Sequence, residues 1–176
     1  MNLYRCSICG EVYAGDEKPS HCPFCGAHVG LLALAKDYVE KNIGAEISEK
    51  SKDFLEQTLK LEITASRFYR GVSKKTKNAE VQGLFKYLAK IEKEHADVVC
   101  KLLGIDLPDE VMGVEDRFET DKENIEESLR LEKRAAEIYS GFLKNVTEER
   151  LKTVFSALIQ IESDHIKIDE EELERL

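Results

Sequence analysis

Apolar positions along the chain fall into four runs with helical spacing. Leu55, Leu59, Glu62, Ser66, Tyr69 and Val72 keep intervals of three and four, as do Val81, Leu84, Leu88, Glu92, His95, Val99 and Leu102. A third series runs Ile125, Leu129, Glu132, Ala136, Tyr139, Leu143, and a fourth Leu151, Phe155, Leu158, Glu162, His165. These predict four long amphipathic helices. Two of the connections, around Lys74 to Asn78 and Asn145 to Glu148, are short and predict antiparallel neighbours; Gly104 to Glu119 contains Pro108 and Gly113 and is long enough to cross the bundle. Thr120 and Glu123 have the spacing of a capping box at the start of the third helix.

The core series are interrupted by polar residues that recur. A shift of about seventy positions lays Glu62, Tyr69, Glu92 and His95 on Glu132, Tyr139, Glu162 and His165, so the two helical hairpins read as diverged copies of one unit. Each copy carries a Glu where its first helix faces inward and a Glu-x-x-His on its second. Residues three apart share a helix face, so Glu92 with His95 and Glu162 with His165 can each present one oxygen and one nitrogen together. At about 1.5 Å rise per residue, Glu62 and Glu92 lie at the same height, roughly 22 Å from the turn between them. Four buried carboxylates without compensation would be prohibitively costly, and two divalent cations would balance them.

The first 29 residues lack helical period. They hold Cys6-x-x-Cys9-Gly10 and Cys22-x-x-Cys25-Gly26, two knuckles whose four thiolates suit zinc or a single iron. His21 and His28 flank the second knuckle and read as loop or contact residues, since four sulfurs complete a tetrahedron. Cys100 reads as a buried apolar residue. The expected domains are therefore a cysteine module at 1–29, a connector at 30–47 that could form a short helix before Gly44, and a four-helix bundle at 48–176. The overall class is mainly α.

Charge limits the partners. Charged residues make up 35% of the chain and the formal net charge is −9, which opposes binding to nucleic acid or an anionic membrane. No apolar run approaches the length of a membrane span and the N-terminus has no signal-peptide pattern, so a cytoplasmic protein is expected.

With these motifs in place, Glu62, Glu92, His95, Glu132, Glu162 and His165 resemble the di-iron ligands of ferritin-like proteins. Together with the cysteine module the chain resembles a rubrerythrin, with the rubredoxin-like module first as in reverse rubrerythrins. The resemblance implies two iron ions in the bundle and one in the four-cysteine site, where zinc is the alternative. It implies a non-haem di-iron peroxidase that reduces hydrogen peroxide, or dioxygen, to water with electrons from a soluble donor protein or reductase. Tyr69 and Tyr139 resemble the tyrosines that support such a site, although ordinary core packing would also place aromatics there. Rubrerythrins carry a further Glu one turn from the third-helix ligand, whereas Ser128, Leu129, Ala135 and Ala136 around Glu132 are not acidic. A ferroxidase or iron-handling protein, and a metal-stapled structural or binding module, remain the other classes. A homodimer or higher oligomer is expected, because a module tethered at one end of its bundle would lie far from its own mid-bundle centre and could reach a neighbour's instead.

Overall fold

The computed structural model describes residues 1–176. Helices α1 (Glu49–Lys75), α2 (Ala79–Leu103), α3 (Asp121–Leu143) and α4 (Glu149–Arg175) form the bundle, α1 packing on α2 and α3 on α4 as two hairpins. Their ends are set locally. The Ser48 hydroxyl accepts from the Ser51 amide at α1, and the Asn78 side chain accepts from the amides of Glu80 and Val81 at α2. Thr120 and Glu123 make the reciprocal capping box at α3. No helix is long and apolar enough to cross a membrane.

The connection between hairpins lies along α1. Its Glu115 amide donates to the Arg67 carbonyl at 3.0 Å. Gly71 makes this approach possible, because a Cβ there would sit 1.8 Å from the Glu115 carbonyl oxygen.

On α3 the buried positions differ in part from the apolar series. Ile125, Glu132 and Tyr139 are buried, but Ser128 and Phe142 replace Leu129 and Leu143, and Ala136 is only half-covered. Leu131 and Ala135 of α3 instead line a cavity shared with α1.

The cysteine module is a small antiparallel sheet of β1 (Asn2–Cys6), β2 (Val12–Gly15) and β3 (Leu32–Leu34), in the order β2-β1-β3. Here two expectations are corrected. Residues 31–47 contain no α-helix: Leu32–Leu34 is a strand paired with Tyr4–Cys6, followed by a single 3-10 turn at Ala35–Asp37. The run is too short to repeat at helical period, and pairing satisfies the backbone groups on the free edge of β1. The sheet therefore extends into the stretch expected to be connector.

The second correction concerns the module's position. It is folded back onto the flank of its own bundle. Lys101 Nζ donates to the Cys9 carbonyl at 3.1 Å and Arg150 Nη2 to the Ser7 carbonyl at 2.8 Å, while Arg150 Nε and Nη2 also grip Asn42 Oδ1 at 2.9 and 2.6 Å. Distance along a helix axis had suggested remoteness, but lateral docking brings the module to mid-bundle height. Ile8, the four paired cysteines and Leu32 join Ile91, Val98, Leu158 and Ile161 in one continuous core.

Candidate metal centres

Two clusters in this architecture have the composition of metal sites. In the module, Gly10 and Gly26 adopt φ of 83° and 76°, a left-handed turn that closes each knuckle and aims backbone amides at sulfur. The amides of Ile8 and Glu11 face Cys6 Sγ and Cys9 Sγ at 3.4 and 3.5 Å. Sulfurs of Cys6 and Cys25 lie 3.7 Å apart, and those of Cys9 and Cys22 3.8 Å. A tetrahedron with metal–sulfur bonds of about 2.3 Å has edges of roughly 3.8 Å, so the four atoms are spaced to hold one ion. Proton sharing among them is uneven. Thiols donating from Cys25, Cys6 and Cys9 hold Cys22 well below the usual thiol range, and hydrogen bonds with Cys22, Cys6 and Cys9, with burial, push Cys25 well above it.

Mid-bundle, one Glu comes from α1 and one from α3, and a Glu-His pair from each of α2 and α4. All six side chains are buried. Their donor atoms form two sets of four, Glu62-Glu92-His95-Glu162 and Glu92-Glu132-Glu162-His165, which share Glu92 and Glu162. His95 Nδ1 lies 2.8 Å from Glu92 and 3.6 Å from Glu62, and His165 Nδ1 lies 3.2 Å from both Glu92 and Glu162. The shared pair therefore sits between the two imidazoles, with Glu62 and Glu132 at opposite ends. Tyr139 donates to Glu62 at 2.6 Å and Tyr69 donates to Glu132, each tyrosine crossing from one hairpin to the carboxylate of the other.

Burial and mutual proximity perturb five of these groups strongly. Burial raises Glu62 to about 7, against the pull of His95. Burial also raises Glu162 well above the carboxylate range, reinforced by Glu92 and Glu132. Glu92 goes the other way, since His95 and His165 outweigh its burial. Both imidazoles are driven upward despite burial, His95 by Glu92 and Glu62 and His165 mainly by Glu132. Glu92 Oε1, both oxygens of Glu162 and both nitrogens of His165 are buried without a hydrogen-bond partner. Unpaired buried groups of this kind cost about 1–3 kcal/mol each and more when charged, so the donors present fit a pair of bound cations and fit poorly with none.

Two family models match parts of the chain. The model described as Rubrerythrin matches residues 53–120, and that of the rubrerythrin rubredoxin-like domain matches residues 4–29, together more than half of the chain. The chain belongs to the rubrerythrin family. It is 26% identical to reverse rubrerythrin-1 of Clostridium acetobutylicum over 114 residues, a match spanning 59% of this chain and 63% of that protein. A hypothetical protein from Pyrococcus furiosus superposes with a TM-score of 0.61 at 25% identity, covering 70% of this chain and 87% of that one. A manganese catalase from Anabaena reaches the same TM-score at 16% identity over 78% of this chain and 79% of its own, and shares the fold.

Within this family member the two sites touch. His95 Nε2 lies 2.9 Å from the Cys25 carbonyl oxygen. A carbonyl only accepts, so Nε2 carries the proton and the Nδ1 lone pair is left to face Glu92 and Glu62.

Sequence reasoning missed two acidic residues near this site, both on α4. Asp169, one turn beyond His165, is fully buried and raised to about 7, chiefly by burial, and neither of its carboxylate oxygens has a hydrogen-bond partner. Its signal was available, because position 169 continues the buried series that includes Glu162 and His165. Asp164 is the second; it faces His21 and His28.

Proposed function

We propose that the chain is a di-iron oxidoreductase that reduces hydrogen peroxide to water, with electrons delivered by a soluble donor through an iron in the four-cysteine site. The observation that carries this reading is the contact of His95 with Cys25. From the Cys25 sulfur the path runs through its own Cβ, Cα and carbonyl, then across one hydrogen bond into the imidazole whose Nδ1 faces the carboxylates. A redox-inert staple in the module would make no use of such a path.

Cys6, Cys9, Cys22 and Cys25 would hold one iron, and Glu62, Glu92, His95, Glu132, Glu162 and His165 would hold two. Iron pairs of this kind supply the two electrons that, with two protons, convert one hydrogen peroxide into two waters. The protein's own contribution is positional. Tyr69 and Tyr139 fix the end carboxylates through their hydroxyls, and each is a buried proton holder with its pKa raised well above the phenolic range by burial and then by the adjacent Glu. A cavity of about 360 Å³ between α1 and α3 reaches Glu62, Glu92, Glu132 and Glu162 past the small side chains of Ala65 and Ala135. It is rimmed by Lys60, Arg117, Arg130 and Arg134, which offer hydrogen-bond donors at the entrance and partly offset the carboxylate field within. That opening suits a small polar oxidant.

Stopped-flow oxidation of the fully reduced protein tests the proposal. Peroxide should oxidise the centre at least roughly tenfold faster than dioxygen at equal concentration, a difference of about 1.4 kcal/mol in barrier. Faster reaction with dioxygen would overturn the peroxide assignment.

A further inference from the structure

The hairpin that carries Cys22 and Cys25 presents two histidines toward α4. His21 and His28 face each other as an antiparallel bridge, held by hydrogen bonds from the Cys22 amide to Ala27 and from the Val29 amide to Ser20. Their rings meet edge to face with centroids 4.7 Å apart. Into this pair projects Asp164, whose Oδ2 lies 2.6 Å from His28 Nε2 and 3.5 Å from His21 Nε2. Two imidazole nitrogens therefore converge on one carboxylate oxygen from residues 136 to 143 positions away in the chain.

We propose that His21, His28 and Asp164 form a third metal site, which binds a divalent transition-metal ion and staples the cysteine hairpin to α4. Two imidazoles and one carboxylate are a donor set suited to Zn²⁺ or Fe²⁺ with positions left for solvent. With bonds of about 2.0–2.2 Å, donors around a tetrahedral ion lie roughly 3.4 Å apart. The His21–Asp164 separation already matches, and the His28–Asp164 pair needs to open by about 0.8 Å, within reach of side-chain rotation.

The surroundings support an ion here. His21 Nδ1 is 3.0 Å from the Ser20 hydroxyl, a partner that can accept its proton and leave Nε2 as the lone-pair nitrogen. Lys167 Nζ pairs at 3.0 Å with Asp164 Oδ1, leaving Oδ2 to the histidines. A cavity of about 300 Å³ adjoins His21 and Asp164 and is bordered by Tyr87, Glu171 and His165, so water can complete the coordination. Unlike the two centres above, this site joins module to bundle and leaves the six buried donors untouched.

The test uses full-length protein with both resident centres filled, titrated anaerobically with Co²⁺ alone and followed by visible d–d absorption and calorimetry. One additional Co²⁺ per chain is expected, without thiolate charge-transfer bands. His21→Ala and His28→Ala should each weaken it by at least roughly tenfold, the smallest effect typical of groups one shell further from a metal, with the resident-centre spectra unchanged. The paramagnetic ion should also shift the imidazole proton resonances of both histidines in the wild type. No additional ion in the wild type, or an additional ion retained with equal affinity in both variants, would overturn the site.

Discussion

The imidazole of His95 donates from Nε2 to the carbonyl oxygen of Cys25 at 2.9 Å, so a residue of the carboxylate centre and a residue of the cysteine centre share one hydrogen bond. Its counterpart in the second repeat, His165, has no such partner at either nitrogen. The pseudo-symmetry of the two hairpins is broken at this point by the docked module, and His95 is the imidazole that, under the proposed function, would link the two centres.

Metal content should follow the two donor sets. Anaerobically purified protein reconstituted with ferrous iron is expected to hold about three metal ions per chain. Because Glu92 and Glu162 belong to both bundle sets, Glu92→Ala or Glu162→Ala should abolish the paired site and leave the tetrathiolate absorption intact. Metal analysis alongside the visible spectrum checks this; two bundle ions retained by either variant would contradict the shared-ligand geometry.

The tyrosines should act through their hydroxyls alone. Tyr139→Phe removes the bond to Glu62 and Tyr69→Phe the bond to Glu132, each worth about 1.5–3 kcal/mol as a hydrogen bond to a charged group. Both variants are expected to keep two bundle metals while peroxide turnover falls roughly 10- to 100-fold, the range seen when groups supporting metal ligands are removed. Loss of metal in either would show the hydroxyl to be needed for binding itself.

Docking of the module rests heavily on Arg150, whose guanidinium joins the carbonyls of Ser7 and Ile8 to Asn42. Arg150→Ala should lower stability by about 3 kcal/mol, since several partly buried charged hydrogen bonds go together. Metal occupancy should persist, while donor-driven turnover falls further than oxidation of the pre-reduced bundle centre by peroxide. Equal losses in the two assays would indicate general damage to the fold.

Much of this arrangement was legible in the chain itself. The seventy-residue repeat and the polar interruptions of four apolar series locate the hairpins and the buried Glu and His residues, because helical period is a local property. Cysteine spacing with glycine after each pair likewise describes a knuckle without reference to anything distant. What escaped was non-local. Leu32–Leu34 becomes a strand only because β1 offers a free edge, and the module's place beside His95 depends on Arg150 meeting Asn42 across 108 positions. Asp164 and the two module histidines are unremarkable separately, and only docking brings them together.

The central claim is that one chain holds a complete relay from cysteine site to carboxylate site. Mixing a Cys9→Ala, Cys25→Ala chain with a Glu92→Ala, Glu162→Ala chain, after verified exchange into any oligomer they form, measures it directly. Donor-driven peroxide reduction should remain as low in the mixture as in either variant alone, because neither chain retains both ends of the Cys25–His95 path. Recovery of activity in the mixture, with normal metal occupancy at the intact sites, would show that electrons pass between chains and would contradict the account.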